Sequence, residues 1–314
     1  MNYMINKIVA IQGDHPSKLN PLTDTTIFLA HEIQKKNYRI FYYNPKDLSV
    51  INFKVVAKGF FIKFNYKKKK FFKILKKQKL ELNKCKFLLI RQDPPFNLEY
   101  ISSTLILDKI KGKVKIINDP TAIRNISEKL YSTKYQKFMP HTIFSQNIEE
   151  IKKFLKKNRK IVIKPIHGFA GKNILFIQNR LNISSISRYL KSFGTVMVQK
   201  YLPGVIKGDK RIFIINGKVC GAIQRIPSKG SILSNISQGG TAVKTKLNLK
   251  EKKVANTIAK ELKKENIFFA GIDLVSGYLI GDINVTSPTG LPQYKELTGI
   301  NLAKNFWDQL ENLK

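Results

Sequence analysis

Cysteine is scarce in this sequence. Cys85 and Cys220 are the only two among 314 residues, far apart and without Cys-x-x-Cys spacing. That excludes a disulfide framework and a thiolate zinc site, and it fits reduced thiols. Long apolar runs are missing too, and none approaches the roughly 20 residues a spanning helix needs. The apolar stretch before Gln12-Gly13-Asp14 is too short for a secretory signal and has no small-residue cleavage site. A cytoplasmic protein with no membrane partner is expected. Acidic residues are few, 21 Asp and Glu against 57 Lys and Arg, for a formal net charge of +36. The lysines are scattered among Ile, Asn, Phe and Tyr, as AT-rich codon bias produces, without the basic stripe or aromatic platforms of a nucleic-acid module. Sequence-indifferent attraction to polyanions is expected, and no specific nucleic acid. The densest cluster, Lys67-Lys68-Lys69-Lys70 with Lys73, Lys76 and Lys77, predicts a solvated helix with Phe71, Phe72, Ile74 and Leu75 turned inwards.

What remains is globular in character: 43% hydrophobic and 25% charged residues, in a chain long enough for two or three domains. Strands at 7–11, 38–43, 87–91 and 114–117 alternate with helices at 23–36 and 98–110, and 50–66 suits a hairpin. Residues 1–120 therefore form one α/β domain with a parallel sheet, whose ligands gather beyond the carboxyl ends of the strands. The rigid Asp93-Pro94-Pro95-Phe96 turn lies at such an end, as a pocket wall or a plain strand terminator. Residues 121–203 read as a small α+β unit: a helix at 127–137, a strand at 142–143, a helix capped by Asn147 with Glu150, and strands at 160–164, 174–177 and 195–199 around a helix at 184–192. The glycine-containing loop 165–171 joins two strands, so it is a flexible phosphate cover and not a P-loop, which needs a following helix and a Lys-Ser/Thr pair. Residues 204–314 are antiparallel, with a hairpin at Asn216-Gly217, a polar loop at 227–247, a helix at 249–265 and a terminal helix at 298–313.

The segment 268–289 is the most informative. Two apolar runs flank Ser276-Gly277, which predicts a two-residue hairpin with Val275 opposite Tyr278 and Asp273 opposite Ile280. Side chains alternate along strands, so Asp273, Asp282 and Asn284 share one face. Few hard oxygen donors on one side suit Mg²⁺ carrying a nucleotide's phosphates. The plainer alternative is that Asp282 and Asn284 finish an edge strand and meet water. Lys129 and Lys164 have the chemistry to grip phosphates as point charges. Gln199 ends an apolar strand whose backbone is free to read an adenine edge, and Asp209, Arg211 and Arg225 follow.

In this order the motifs are familiar. The chain resembles the ATP-grasp superfamily and, within it, the bacterial glutathione synthetases. The stretches that carry the likeness are Arg91 to Phe96, Asn125 to Leu130, Ile163-Lys164-Pro165, Tyr201-Leu202-Pro203, Gly208 to Arg211, Arg225-Ile226-Pro227, Gln238-Gly239-Gly240 and Asp282 to Thr289. The resemblance implies an ATP-grasp fold of three domains: a parallel α/β N-terminal domain, a central lid and a C-terminal antiparallel domain. It implies ATP-dependent joining of γ-glutamylcysteine to glycine through an acyl phosphate, with Mg²⁺ or Mn²⁺, and it favours a homo-oligomer. It also implies roles. Lys129 and Lys164 would bind phosphates under a loop containing Gly168 and Gly171. Gln199, Lys200, Tyr201, Leu202 and Asp209 would hold the nucleoside, and Asp273, Asp282 and Asn284 the metal. Arg211, Arg225, Asn235 and Gly240 would serve the reacting groups, with Asp93, Ser287 and Thr289 on the substrates.

Several positions depart from the family pattern. His167 stands where Asp is usual, Ala170 where Gly is usual, and Asp282 replaces Glu. Leu233 takes the place of a loop arginine, and Gly290-Leu291-Pro292-Gln293 also lacks one. The losses fall at the substrate end. A ligase for another carboxylate and amine, or a degenerate paralogue that binds nucleotide or polyanions, are the competing readings.

Overall fold

The computed structural model describes residues 7–169, 171–230 and 234–313. Its first sheet contains β1 (Ile8–Gln12), β2 (Arg39–Tyr43), β3 (Leu48–Ile51), β4 (Lys54–Phe64), β5 (Phe72–Glu81), β6 (Phe87–Ile90) and β7 (Lys115–Ile117). The order is β3-β4-β2-β1-β6-β7, with β5 on β4. Strand β1 lies parallel to β2 and β6, and β6 parallel to β7. Every residue of β1 and β6 is buried, the continuous apolar run expected of a strand covered on both faces. Helices α1 (Thr25–Gln34), α2 (Leu98–Asp108) and α3 (Pro120–Asn125) begin on Asp24, Asn97 and Asp119, whose side chains accept backbone N–H bonds from the first turn.

A four-stranded sheet follows, in the order β10-β9-β11-β8, from β8 (Thr142–Ser145), β9 (Lys160–Pro165), β10 (Leu175–Gln178) and β11 (Val196–Lys200). Helices α4 (Ile148–Asn158) and α5 (Ile183–Phe193) complete its own core around Ile151, Phe154, Ile161, Ile163, Leu190 and Val198. The last sheet, β14-β13-β12-β15-β16, is antiparallel and is made of β12 (Asp209–Ile215), β13 (Lys218–Ile226), β14 (Thr241–Lys244), β15 (Phe269–Val275) and β16 (Tyr278–Asn284). Helix α6 (Leu249–Lys264) packs on it behind a capping box of Asn248 and Glu251. The ATP-grasp architecture expected from the sequence is present. Helices α7 (Leu291–Thr298) and α8 (Leu302–Glu311) cross back to α1, where the buried Trp307 Nε1 donates to Leu29 O at 2.8 Å.

Four local expectations are corrected, and one helix is added. The lysine cluster is no helix: residues 67–70 lie in the turn between β4 and β5, and Lys73, Lys76 and Lys77 lie on strand β5, where pairing with the free edge of β4 overrides local propensity and Leu75 is the extra residue at a bulge, 58% exposed. The helix expected at 127–137 is a run of 3-10 turns at Leu130–Phe138, broken at Tyr135. Ser132 and Thr133 hydroxyls donate to the carbonyls of Lys129 and Leu130 there, competing with α-helical bonding. Asn147 caps α4, but Glu150 pairs with Lys153, and the Asn147 N–H goes to Ser145 Oγ, so no capping box forms. The 227–247 loop contains β14, paired with β13. The helix expected at 298–313 is α8, capped by Asn301, and a further helix that the sequence did not mark, α7, precedes it and is stopped by Gly299 at φ 76°.

Candidate functional site

The β15–β16 hairpin starts as its turn dictates, with Val275 opposite Tyr278 and Leu274 opposite Leu279. Beyond Leu274 the register slips, and Ile272 meets Ile283 and Gly271 meets Asn284. The slip centres on Gly281, whose φ of 92° favours glycine, and an added Cβ would also push the end of the Met197 side chain aside. A slip of two keeps the parity of the faces, and Asp273, Ile280, Asp282 and Asn284 line one cavity wall. Strand β16 is also the sheet edge, as the plainer reading supposed.

Facing this wall are two buried lysines. Lys129 Nζ donates to Gly168 O at 2.6 Å and lies 3.4 Å from Asp282 Oδ1. Lys164 Nζ donates to Ile280 O at 2.9 Å and lies 3.7 Å from Asp282 Oδ2. Burial lowers the Lys164 pKa, and the Asp282 charge works against that fall. Gln199 is held by Thr142, its Nε2 donating to Oγ1 at 2.9 Å. These groups border one cavity between the four-stranded and five-stranded sheets. Gly168, Gly171, Lys200, Tyr201, Leu202, Asp209 and Asn235 line it as well, with Val162, Phe169, Ile174 and Val275 as apolar wall. Every residue expected to hold nucleotide or metal therefore borders one space.

Behind the wall runs a ladder of buried charge. Arg211 sits directly opposite Asp273 across β12 and β15 and makes two bonds to it, Nε to Oδ1 at 2.6 Å and Nη2 to Oδ2 at 2.9 Å. Arg225 reaches Asp273 Oδ2 at 2.8 Å and grips Asp209 through Nε and Nη2, both at 2.7 Å. Burial alone would raise the Asp273 pKa, but the two arginine charges and their hydrogen bonds hold it well below the usual carboxylate range. Asp273 and Asp209 in turn raise the Arg225 pKa against its own burial. Arg211 Nη1 also donates to Thr289 O at 3.3 Å.

The remaining expected residues lie around this centre. Ser287 Oγ donates to Gln92 O at 2.9 Å, joining the segment after β16 to the end of β6, and the Asp93 N–H goes to Asp14 Oδ2 at 3.1 Å. Asn235 O accepts from Gly240 N at 3.1 Å, and a Cβ on Gly240 would lie 2.2 Å from Ser234 O. Leu233 and Ala170 lie outside the described residues. Sequence reasoning assigned no role to two residues. Ser234 donates to Asp209 Oδ2 at 2.6 Å. Glu128 accepts Ile283 N on its main-chain oxygen at 3.1 Å, and Val285 N, Thr286 N and Thr286 Oγ1 on Oε1 at 3.1, 3.3 and 2.9 Å. The signal for Glu128 was its place beside Lys129, an acid next to a phosphate-gripping cation.

Two family models cover most of the chain: prokaryotic glutathione synthetase, N-terminal domain, over residues 8–124, and prokaryotic glutathione synthetase, ATP-grasp domain, over 128–299. The chain is 34% identical over 311 residues to "Glutathione synthetase" of Agrobacterium fabrum, covering 97% of this chain and 96% of the relative. It is 34% identical over 308 residues to the protein of that name in Buchnera aphidicola, covering 96% and 95%. Among solved structures it resembles D-cycloserine synthetase DcsG, with a TM-score of 0.69 at 14% identity, covering 98% of this chain and 100% of the other. It also resembles a RimK domain ATP-grasp protein from Sphaerobacter thermophilus, with a TM-score of 0.62 at 12% identity, covering 96% and 98%. These two likenesses show the fold.

Proposed function

The chain belongs to the prokaryotic glutathione synthetase family, an ATP-dependent, ADP-forming ligase that joins γ-glutamylcysteine to glycine, and we propose that the cavity between its second and third sheets is where it does so. The observation that carries this reading is the convergence of two buried lysines on Asp282 beside Asp273 and Asn284.

A carboxylate is a poor electrophile. Its oxygen first attacks the γ-phosphate to give an acyl phosphate, and the amine then displaces phosphate through a tetrahedral oxyanion. Both steps build negative charge that fixed cations must meet. In this reading Lys129 and Lys164 hold the phosphates, with the Gly168 to Gly171 loop above them. Gln199, Lys200, Tyr201 and Leu202 take the adenine against Val162, Ile174 and Val275. Asp209 lines the same space, but both its oxygens are engaged, so it acts by fixing Arg225 and Ser234. Arg211 and Arg225 supply the positive field behind the transferring phosphate. Asn235, Gly240, Ser287 and Thr289 shape the acceptor end, and Asp93 the dipeptide end.

The donor set fits a hard divalent cation. Asp282 has only the two long lysine contacts among the described residues, and Asn284 donates through Nδ2 to Gly271 O, which leaves its amide oxygen free. Asp273 would share its carboxylate with the arginines. Bound there, Mg²⁺ or Mn²⁺ supplies Lewis-acid charge to the phosphates. Magnesium in preference to manganese, a cytoplasmic location and a homo-oligomeric assembly belong to this proposal; no helix among the described residues is long and apolar enough to cross a membrane. The test is ADP release from ATP and Mg²⁺ with γ-glutamylcysteine, with and without glycine. Glycine-dependent release matched by glutathione supports the reading, and release indifferent to both substrates sinks it.

A further inference from the structure

Strand β16 carries Asp282 and Asn284 but is the edge of its sheet, paired among the described residues with β15 alone. Its turn does not fix where those two residues lie, because the register slips between the turn and the last rung, Gly271 with Asn284. Past that rung the hairpin is open, and two side chains from the stretch joining the first sheet to the second close it. Asn118 follows β7 and is 3% exposed. Its Nδ2 donates to Phe269 O at 2.7 Å and Val285 O at 2.6 Å, and its Oδ1 accepts from Phe268 N at 2.9 Å and Phe269 N at 2.8 Å. One amide thus uses both its donors and both its acceptor positions, and it stands in for the missing rung between the start of β15 and the end of β16.

Glu128 takes the place of a neighbouring strand on the outer edge of β16. Its main-chain oxygen accepts from Ile283 N, and its Oε1 accepts from Val285 N and from both the amide and the hydroxyl of Thr286. Val285, the residue after Asn284, therefore has its N–H held by Glu128 and its carbonyl by Asn118. Lys129 follows Glu128 in the chain and lies 3.4 Å from Asp282, so the same clamp ties the strand bearing the carboxylate to a phosphate-gripping lysine. We propose that Asn118 and Glu128 are positioning residues, which hold the oxygen donors of β16 where a divalent cation needs them. The inference rests on the metal site of the ligase reading and adds two residues outside the donor set proposed there. Removing the outer partners of metal ligands typically costs roughly 10- to 100-fold in metal affinity or activity.

Mn²⁺ titration followed by electron paramagnetic resonance, on the protein holding ADP, reads that affinity without turnover. The dissociation constant should rise roughly tenfold in Asn118→Asp, which keeps the acceptor for Phe268 and Phe269 but sets a carboxylate oxygen against two carbonyls. Glu128→Ala should raise it by a similar factor. Glu128→Gln, which keeps an oxygen for the three side-chain contacts, should recover most of the loss. In turnover the Mg²⁺ requirement of the weakened variants should shift upward while the KM for γ-glutamylcysteine stays within about twofold, and added Mg²⁺ should restore most of kcat. Urea unfolding shows which variants are folded, and if Asn118→Asp is not, the two Glu128 variants decide. Mn²⁺ affinity unchanged in the folded variants overturns the proposal. So does a loss of kcat that no Mg²⁺ concentration restores, which would mark the two residues as supports of the fold alone. Weakened Mn²⁺ binding in the variants supports the clamp even if wild type makes no glutathione. Glutathione formed by a wild type whose variants bind Mn²⁺ equally well refutes the clamp and leaves the ligase reading standing.

Discussion

Arg211 and Asp273 occupy directly opposed positions on β12 and β15 and are joined by two parallel hydrogen bonds, with a second arginine, Arg225, on the same carboxylate. Removing one member of such a buried group leaves uncompensated charge, which costs about 3–5 kcal/mol. Asp273→Ala should therefore lose stability as well as activity, seen as a lower urea midpoint with an unchanged slope. A variant as stable as wild type would mean that the ladder carries no folding energy.

The same pair sets a pH dependence. The folded-state pKa of Asp273 lies below its ordinary value of 3.8, so its contribution is fully present above that pH and is lost as pH falls through the lower folded value. Urea unfolding should show stability falling below about pH 4 as linkage requires, and Asp273→Asn should flatten that limb. Parallel limbs in the two proteins would assign the acid sensitivity elsewhere.

Asp282 is a contrasting case. It is partly exposed and touches Lys129 and Lys164 only at 3.4 and 3.7 Å, so little of the fold hangs on it. Asp282→Ala should keep its melting temperature within a few degrees while kcat falls by about a hundredfold or more, the scale of one lost electrostatic stabiliser. Asp282→Glu should keep or raise activity. Near-normal kcat for the alanine variant at ordinary Mg²⁺ would remove Asp282 from the metal site.

Gly240→Ala tests the loop that follows β13. The added Cβ would lie 2.2 Å from Ser234 O, and Ser234 holds Asp209. The loop must shift, and kcat/KM should drop roughly tenfold through misplacement with little change in global stability. Wild-type kinetics would show that the loop absorbs a methyl group at no cost to the site.

Thirteen lysines and one acid, Glu81, lie within residues 54–86, on and around the β4–β5 pair. Nucleic acid should bind there weakly, without sequence preference, and by counterion release lose at least tenfold in affinity between roughly 50 and 200 mM salt. Tight binding at physiological salt with a base preference would contradict the codon-bias explanation of the charge.

Much of this was legible in the sequence because the signals were local. The continuous apolar runs of β1 and β6, the Asn and Asp caps, and the Ser276-Gly277 turn each report on neighbours a few residues away. The shared face of Asp273, Asp282 and Asn284 survived even though their register did not. Gly281, where the register slips, faces Met197, more than eighty residues away, and no turn rule contains that contact. Strand β5 was missed for the same reason: its lysines accept helix or strand, and β4 decides. Glu128 sat in plain view beside Lys129, but its partners are Val285 and Thr286, and only folding brings them together.

The cores divide the molecule differently from the order of the chain. Residues of β1, α1 and β6 share one apolar cluster with Phe213, Phe269, Phe306 and Trp307, so the first and last thirds are fastened into a single body. While Met197 on β11 joins the core of the last sheet, the four-stranded sheet has a core of its own around Ile151, Ile163 and Val198. It carries Lys164, Gln199 and the glycine loop, while the carboxylates stay with the larger body. Moving the one against the other would take Lys164 away from Asp282 and would also draw Met197 out of the core it shares with the last sheet. The phosphate-gripping lysine and the carboxylate it faces thus come from separate sheets, and the distance between them reports how those sheets are joined.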